Sequence, residues 1–263
     1  MNALRLIFRS LRFHSRANLG VALGAALATT VLTGAMLVGD SVRVGLARMA
    51  HARLGETDCA LVSPDRLFRA DLATRLGGDP ATPPAALLLL QGVALAPEGG
   101  RRVNGVQVVG VDDAFWALAP EPWRPAPPPP GGCWINETLA DRLGGAAAGD
   151  AWVLRLRKPG GLPAEMSVAA RGTDAVSQRL TVAGVLDARA FGHFSLKTTQ
   201  IAAPTVFLPR EWLAERLAQP GRANVLLLPP TQNYAPAAWQ ARLDDAWRLD
   251  DAGLALREIP GGG

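Results

Sequence analysis

Residues Ala17–Gly39, ANLGVALGAALATTVLTGAMLVG, form an uncharged stretch of 23 residues between Arg16 and Asp40. As a helix rising about 1.5 Å per residue it reaches roughly 35 Å, enough to cross a hydrocarbon core about 30 Å thick. A single segment inside lipid satisfies its backbone hydrogen bonds only as an α-helix. The expectation is one transmembrane helix over 17–39, with most of the chain on one side of a membrane.

Charge gives that helix a direction. Arg5, Arg9, Arg12 and Arg16 precede it without any Asp or Glu, whereas Arg43, Arg48 and Arg53 beyond it are mixed with Asp40, Glu56 and Asp58. Compact basic charge stays on the cytoplasmic side, so the N-terminus is expected inside and the remainder outside. Leu4, Ile7, Phe8 and Leu11 fall at i, i+3, i+4 and i+7, and the four arginines line another face. Residues 1–16 therefore read as an amphipathic helix lying on anionic membrane lipid. A cleaved signal peptide is the competing reading, and Thr33-Gly34-Ala35 offers it small residues. Such peptides have apolar cores of about 7–15 residues, and an arginine-faced helix has no use in a disposable leader, so a retained anchor is expected. Gly20, Gly24 and Ala28 recur at four-residue spacing, the pattern that lets membrane helices approach closely. An Ala- and Gly-rich composition writes the same pattern without any packing role.

About 220 residues remain beyond the span, enough for one large or two small domains. Hydrophobic residues make up 49% of the chain and there are seven tryptophans, so it has the means to build a core. The formal net charge is +4. No dense Lys/Arg cluster interleaved with aromatics accompanies it, which argues against nucleic acid as a partner. Cys59 and Cys133 either pair in an oxidising compartment or remain two thiols.

Past Gly39 the helical pattern continues through Val42, Leu46 and Met49 to Gly55, giving a stalk over 40–56. Strands are expected at 58–63, 85–96, 103–111, 151–157, 179–186, 204–208, 224–228 and 253–259. Helices are expected at 64–76, 135–143 (capped by Asn136), 209–218 and 239–249. Pro97–Gly100 reads as a turn. Seven of the eleven residues Pro120–Pro130 are proline, so that run is an extended connector. An SH3-type ligand fits the composition but not a loop outside a bacterial-looking membrane. Strands alternating with helices give a mixed α/β or α+β domain outside the membrane.

Motifs for chemistry are scarce. The chain has no GxxxxGK[ST], HExxH or CxxC, and its serines lie outside any GxSxG frame. His193 near Ser195 is the sharpest pairing, yet a loop histidine beside a serine seldom makes a dyad. Asp112-Asp113 and Asp244-Asp245 are neighbours whose side chains point different ways, as solvated faces do. No catalytic, cofactor-binding or metal-ligating residue is expected, and the chain is not expected to be an enzyme.

The order of segments nevertheless carries a resemblance. The basic start, the long apolar helix and GDSVR (39–43) lead to NGVQVVGVDDAFWAL (104–118), WINETLADRLGGAAAGDAWVLRLR (134–157) and RLTVAGVLDARAF (179–191). PTVFLPREWLAERL (204–217) and RANVLLL (222–228) follow. Together they resemble MacB/FtsX-like ABC-transporter permeases over nearly the whole chain. The resemblance implies a two-lobed α+β periplasmic domain behind one transmembrane helix. The first lobe would span 57–130 and 199–263, with an inserted second lobe at 133–198. It also implies a bacterial inner membrane, a cytoplasmic ABC ATPase that binds the ATP, and a second permease subunit. The role implied is coupling that ATPase to export or extraction of lipophilic cargo, or to force transmission. Relatives carry three further membrane helices after this domain, so the resemblance implies an N-terminal fragment or truncated reading frame. A membrane-anchored binding or adaptor protein complete in itself is the alternative.

Overall fold

In the computed structural model, the residues described are 3–64, 66–96, 101–119, 128–129, 131–158, 175–197, 199, 201–230 and 236–252. The chain divides into two units, Met1–Ala50 and His51–Gly263. The first is helical. Helix α1 covers Ala3–Phe13, and α2 covers Ser15–Leu54, 40 residues without a buried side chain. Its apolar part has a mean hydropathy of 2.0, and it is long and apolar enough to cross a membrane. The expected span and stalk are thus one continuous helix. It ends at Gly55, which takes φ 57°, and a Cβ there would collide with the Leu118 carbonyl oxygen. Only glycine fits such a stop.

In the second unit, β1 (Cys59–Val62) is followed by β2 (Phe68–Arg69), α3 (Leu72–Leu76), β3 (Ala85–Leu95), β4 (Arg102–Val111) and α4 (Asp113–Ala117). Then come β5 (Gly132–Asn136), α5 (Glu137–Leu143), β6 (Ala151–Arg157) and β7 (Ala175–Leu186). The chain continues with β8 (Thr205–Pro209), α6 (Arg210–Arg216), β9 (Arg222–Ala223), β10 (Val225–Leu228), α7 (Pro236–Ala246) and a 3-10 turn at Leu249–Ala252.

Eight strands join in the order β1-β10-β3-β4-β8-β5-β7-β6, and β6 pairs again with β3. From β3 round to β6 the strands therefore close on themselves. The β4–β8 and β5–β7 pairs are parallel and the others antiparallel. Closure needs β3 to bend, and it does so at a register shift between Gly92 and Val93. A Cβ on Gly92 would lie 3.0 Å from the Arg155 carbonyl oxygen and 3.0 Å from a Leu156 methyl, so the glycine is what lets β6 come in. Strands β5, β6 and β7 supply the same sheet as β3, β4 and β8, so the sheet runs across the expected boundary between 133–198 and the rest.

Period-two alternation sorts the apolar side chains. Val106, Val108, Val206 and Leu208 face one cluster with Ile135, Leu139, Trp152 and Leu213. Val109, Val111 and Phe207 face another with Phe115, Phe191 and Phe194. Phe115 stacks on Phe191 at 4.9 Å and meets Phe194 edge-on at 5.1 Å. A third cluster gathers Phe68, Leu72, Leu226 and Trp239. Each large apolar side chain taken fully from water contributes about 1.5–3 kcal/mol.

Three expectations need correction. The helix read over 64–76 shrinks to α3, because Phe68–Arg69 instead pairs with Arg222–Ala223 as a two-stranded ribbon. Ile135 belongs to β5, and α5 begins only after its cap Asn136. The last helix stops at Ala246, and the Arg248 amide donates to Asp251 Oδ2 at 2.8 Å to start the 3-10 turn. The turn at 97–100, the strand at 253–259 and most of the proline-rich connector lie outside the described residues.

Candidate functional site

Gly20, Gly24 and Ala28 are exposed on α2, and nothing lies within 4 Å of a Cβ built on either glycine. The helix carries its own answer to its hydroxyls, for Thr29 and Thr30 donate back to the Ala25 and Ala26 carbonyl oxygens at 2.7 and 2.8 Å. No orphan donor is therefore presented to lipid by either threonine. Arg9, Arg12 and Arg16 are exposed, as are Ile7 and Leu11, while the side chain of Arg5 lies outside the described residues.

The cysteines are both free thiols. Cys133 is fully buried in β5, and burial pushes its pKa up to about 12, against a small opposing contact from the Trp152 side chain. Cys59 is half-buried, and burial, then the charge of Asp58, also raises its thiol. We expect iodoacetamide to leave Cys133 unmodified in the native protein and to reach it only after unfolding, with Cys59 reacting slowly; mass spectrometry of native and denatured samples reads both. His193 faces Glu137 at 3.9 Å. Ser195 Oγ instead accepts the Lys197 amide at 3.1 Å, a local turn bond. Among the described residues no group of three or more His, Cys, Asp or Glu is placed to hold a metal ion.

A cleft in the second unit sits at the carboxyl ends of the parallel pair β4–β8, whose last register partners are Val111 and Pro209. The next residues are Asp112 and Arg210, and Arg210 Nε lies 3.5 Å from Asp112 Oδ2. Asp112 also caps α4 by accepting the Phe115 amide. Burial raises its carboxyl above the usual range, and the positive charge of Arg210 only partly offsets that. Glu211 bonds the Arg210 guanidinium at 3.3 Å through one oxygen and accepts the Gly221 amide at 3.1 Å through the other. Around this trio opens a cleft of about 770 Å³, its far wall formed by Arg69, Asp71, Thr74 and Asp79. Asp112, its side chain about a third exposed, is thus held by the Phe115 amide and Arg210, whereas Asp113 is exposed. Asp112 has one local signal, an aspartate directly after a strand and three residues before Phe115, the spacing of a helix cap.

A family model described as the MacB-like periplasmic core domain matches residues 19–253. The chain belongs to the MacB-like periplasmic core domain family. No curated protein sequence matches it. Among solved structures it is similar to the extracellular domain of YknZ, a noncanonical ABC-type transporter from Gram-positive bacteria. That likeness has 13% identity and a TM-score of 0.41, covering 69% of this chain and 85% of that one. It is similar also to the periplasmic region of MacB from Actinobacillus actinomycetemcomitans (7% identity, TM-score 0.41, covering 70% and 83%). A domain of a protein described as a permease from Porphyromonas gingivalis gives 17% identity and a TM-score of 0.39, covering 71% and 73%. In this MacB-like domain the match begins at Leu19, inside the apolar span, and runs through the 3-10 turn.

Proposed function

We propose that the chain serves as part of an ABC-transporter permease subunit in a bacterial inner membrane, its N-terminus cytoplasmic and its main domain periplasmic. The observation that carries this reading is the single family match over 19–253, which takes in both the apolar helix and the domain behind it. A cytoplasmic ATPase binds the ATP, and this chain relays its motion to the periplasmic domain for export or extraction of lipophilic cargo or for force transmission. Gly20, Gly24 and Ala28 pack against other membrane helices, a second permease subunit's among them. Arg5, Arg9, Arg12 and Arg16 hold the first helix to lipid head groups. The two lobes, 57–130 with 199–263 and 133–198, share one continuous sheet and so work together.

Affinity capture of the tagged chain from its own membranes tests this. A subunit carrying a nucleotide-binding P-loop is expected to co-purify. Gly20→Leu/Gly24→Leu is expected to reduce a second membrane subunit at least tenfold while leaving membrane insertion intact. In a Cys59→Ser background, Ser41→Cys is expected to react with an impermeant maleimide from the periplasmic side. Capture of a periplasmic protein with no ATP-binding subunit would instead support an anchored adaptor.

A further inference from the structure

The eight-stranded sheet has an open end. Its strands from β3 round to β6 close on themselves and β10 is paired on both sides, so among the described residues of this sheet only β1 keeps an unpaired edge. The Ser63 amide donates to the Asn224 carbonyl oxygen at 2.8 Å. Hydrogen-bonded positions alternate along an antiparallel pair, so Leu61 and Cys59 also turn their main-chain groups to β10, and Ala60 and Val62 turn theirs to the open side. Edges that stay free are blunted by a charge, a proline or a bulge, and Cys59–Val62 has none of these. Its side chains are incompletely covered as well. Cys59 and Leu61 pack on the cluster of Phe68, Leu226 and Trp239 yet are only partly buried, and Val62 on the opposite face is 48% exposed.

The course of the chain up to Ala252 points to the occupant of that edge. The 3-10 turn at Leu249–Ala252 is tied to the β2–β9 ribbon, where Arg222 Nη1 donates to the Asp250 carbonyl oxygen at 3.3 Å and Arg69 faces the Asp250 carboxylate at 4.0 Å. Strand β9 leads through Asn224, the partner of Ser63, into β10. The chain past Ala252 therefore sets out nearer the Val62 end of β1 than the Cys59 end. Its next residues, GLALREI (253–259), place Leu254, Leu256 and Glu258 on one side at period two, and Ala255, Arg257 and Ile259 on the other. Seven extended residues reach roughly 23 Å, more than the about 13 Å of a strand as short as β1.

We propose that residues 253–259 add a strand to the open edge, antiparallel to β1, with Leu254 and Leu256 continuing the face on which Leu61 and Cys59 meet the Phe68–Trp239 cluster. Running that way, the segment finishes beside Cys59, just past the Gly55 stop of α2, so the chain leaves the domain at the corner where it entered. The pairing holds whether or not the chain acts in a transporter.

Disulfide trapping in the full chain in detergent tests it. Cys59 is a free thiol, whereas Cys133 is fully buried and stays out of the reaction. Positions that are not hydrogen-bonded across an antiparallel pair bring their Cα atoms to about 4.5 Å, within disulfide reach. With copper phenanthroline and air as oxidant, Leu256→Cys or Glu258→Cys is expected to bridge to Cys59 within one chain. Arg257→Cys and Ile259→Cys, on the other face, are expected to bridge at least tenfold more slowly, as read by non-reducing peptide mapping. Hydrogen exchange gives a second measurement without a new cysteine. The Val62 amide is expected to exchange slowly in the unaltered chain and at least tenfold faster in Ala255→Pro, with the Val109 amide unchanged. No bridge from any of the four positions, equal bridging from both faces, or open-edge exchange at Val62 in the unaltered chain would overturn the proposal. Bridges between two chains instead of within one would overturn it too, and would give the edge to a second copy.

Discussion

Asn136→Ala lowers the stability of the second unit by about 3–4 kcal/mol, since two buried amides lose their acceptor at about 1–3 kcal/mol each. Asn136 is fully buried where β5 gives way to α5. Its one carbonyl oxygen accepts the Leu139 amide at 2.9 Å, capping the helix, and the Thr205 amide at 2.9 Å, fixing the entry to β8. Its Nδ2 donates to the Ala203 carbonyl oxygen at 2.7 Å. Alanine abolishes all three, leaving the Leu139 and Thr205 amides buried without an acceptor. Asn136→Ser restores the helix cap without reaching Thr205, so it should recover roughly half of the loss. Thermal denaturation in detergent, followed by near-UV circular dichroism, should show the alanine variant melting roughly 10 °C lower. A shift as small as that of an exposed cap would show that the Thr205 amide finds another acceptor.

Arg75→Ala should cost about 3 kcal/mol for a different reason. The Asp251 side chain is wholly buried, with Oδ1 taking Arg75 Nη2 at 2.6 Å and Oδ2 taking the Arg248 amide at 2.8 Å. Arg75 also donates to the Ala246 carbonyl oxygen at 2.7 Å, and the partnership with Asp251, chiefly its hydrogen bond, raises the guanidinium pKa. Removing the arginine strands a carboxylate without its counter-charge. Replacing both partners with apolar groups removes the need for one, so Arg75→Met/Asp251→Leu should return most of the lost stability. The same melting experiment distinguishes this from a surface pair, whose loss costs under about 1 kcal/mol and which gains nothing from the double replacement.

Local signals carried the elements whose causes are local. Ala17–Gly39 needed only its length and lack of charge, β6 its alternation in AWVLRLR, and the start of α5 its asparagine. Elements that exist through a distant partner were not legible. Leu67, Phe68, Leu72 and Leu76 suit a helix by spacing, yet Phe68 and Arg69 pair with residues 222–223, and no local pattern announces that. Gln91-Gly92 interrupts the apolar run of β3, but that the interruption admits β6 depends on the β3–β6 register. The cleft was hidden for the same reason. Asp112 looked like half of a solvated pair, and Arg210 looked no different from Arg216 on the same helix. Only the parallel register of β4 against β8 brings Asp112 and Arg210 face to face.

That parallel pairing also sets a schedule for synthesis. Strand β4 is complete at Val111, but its neighbour β8 begins at Thr205, and the ring needs β5, β6 and β7 as well. At about 5–20 residues per second the ribosome takes roughly 5–20 s to deliver β8 after β4. Through that interval the β3–β4 hairpin stands with an unclaimed outer edge of hydrophobic strand, which is the condition under which chains aggregate. Translation speed between residues 111 and 205 thus sets how long a folding helper must shield that edge in each molecule.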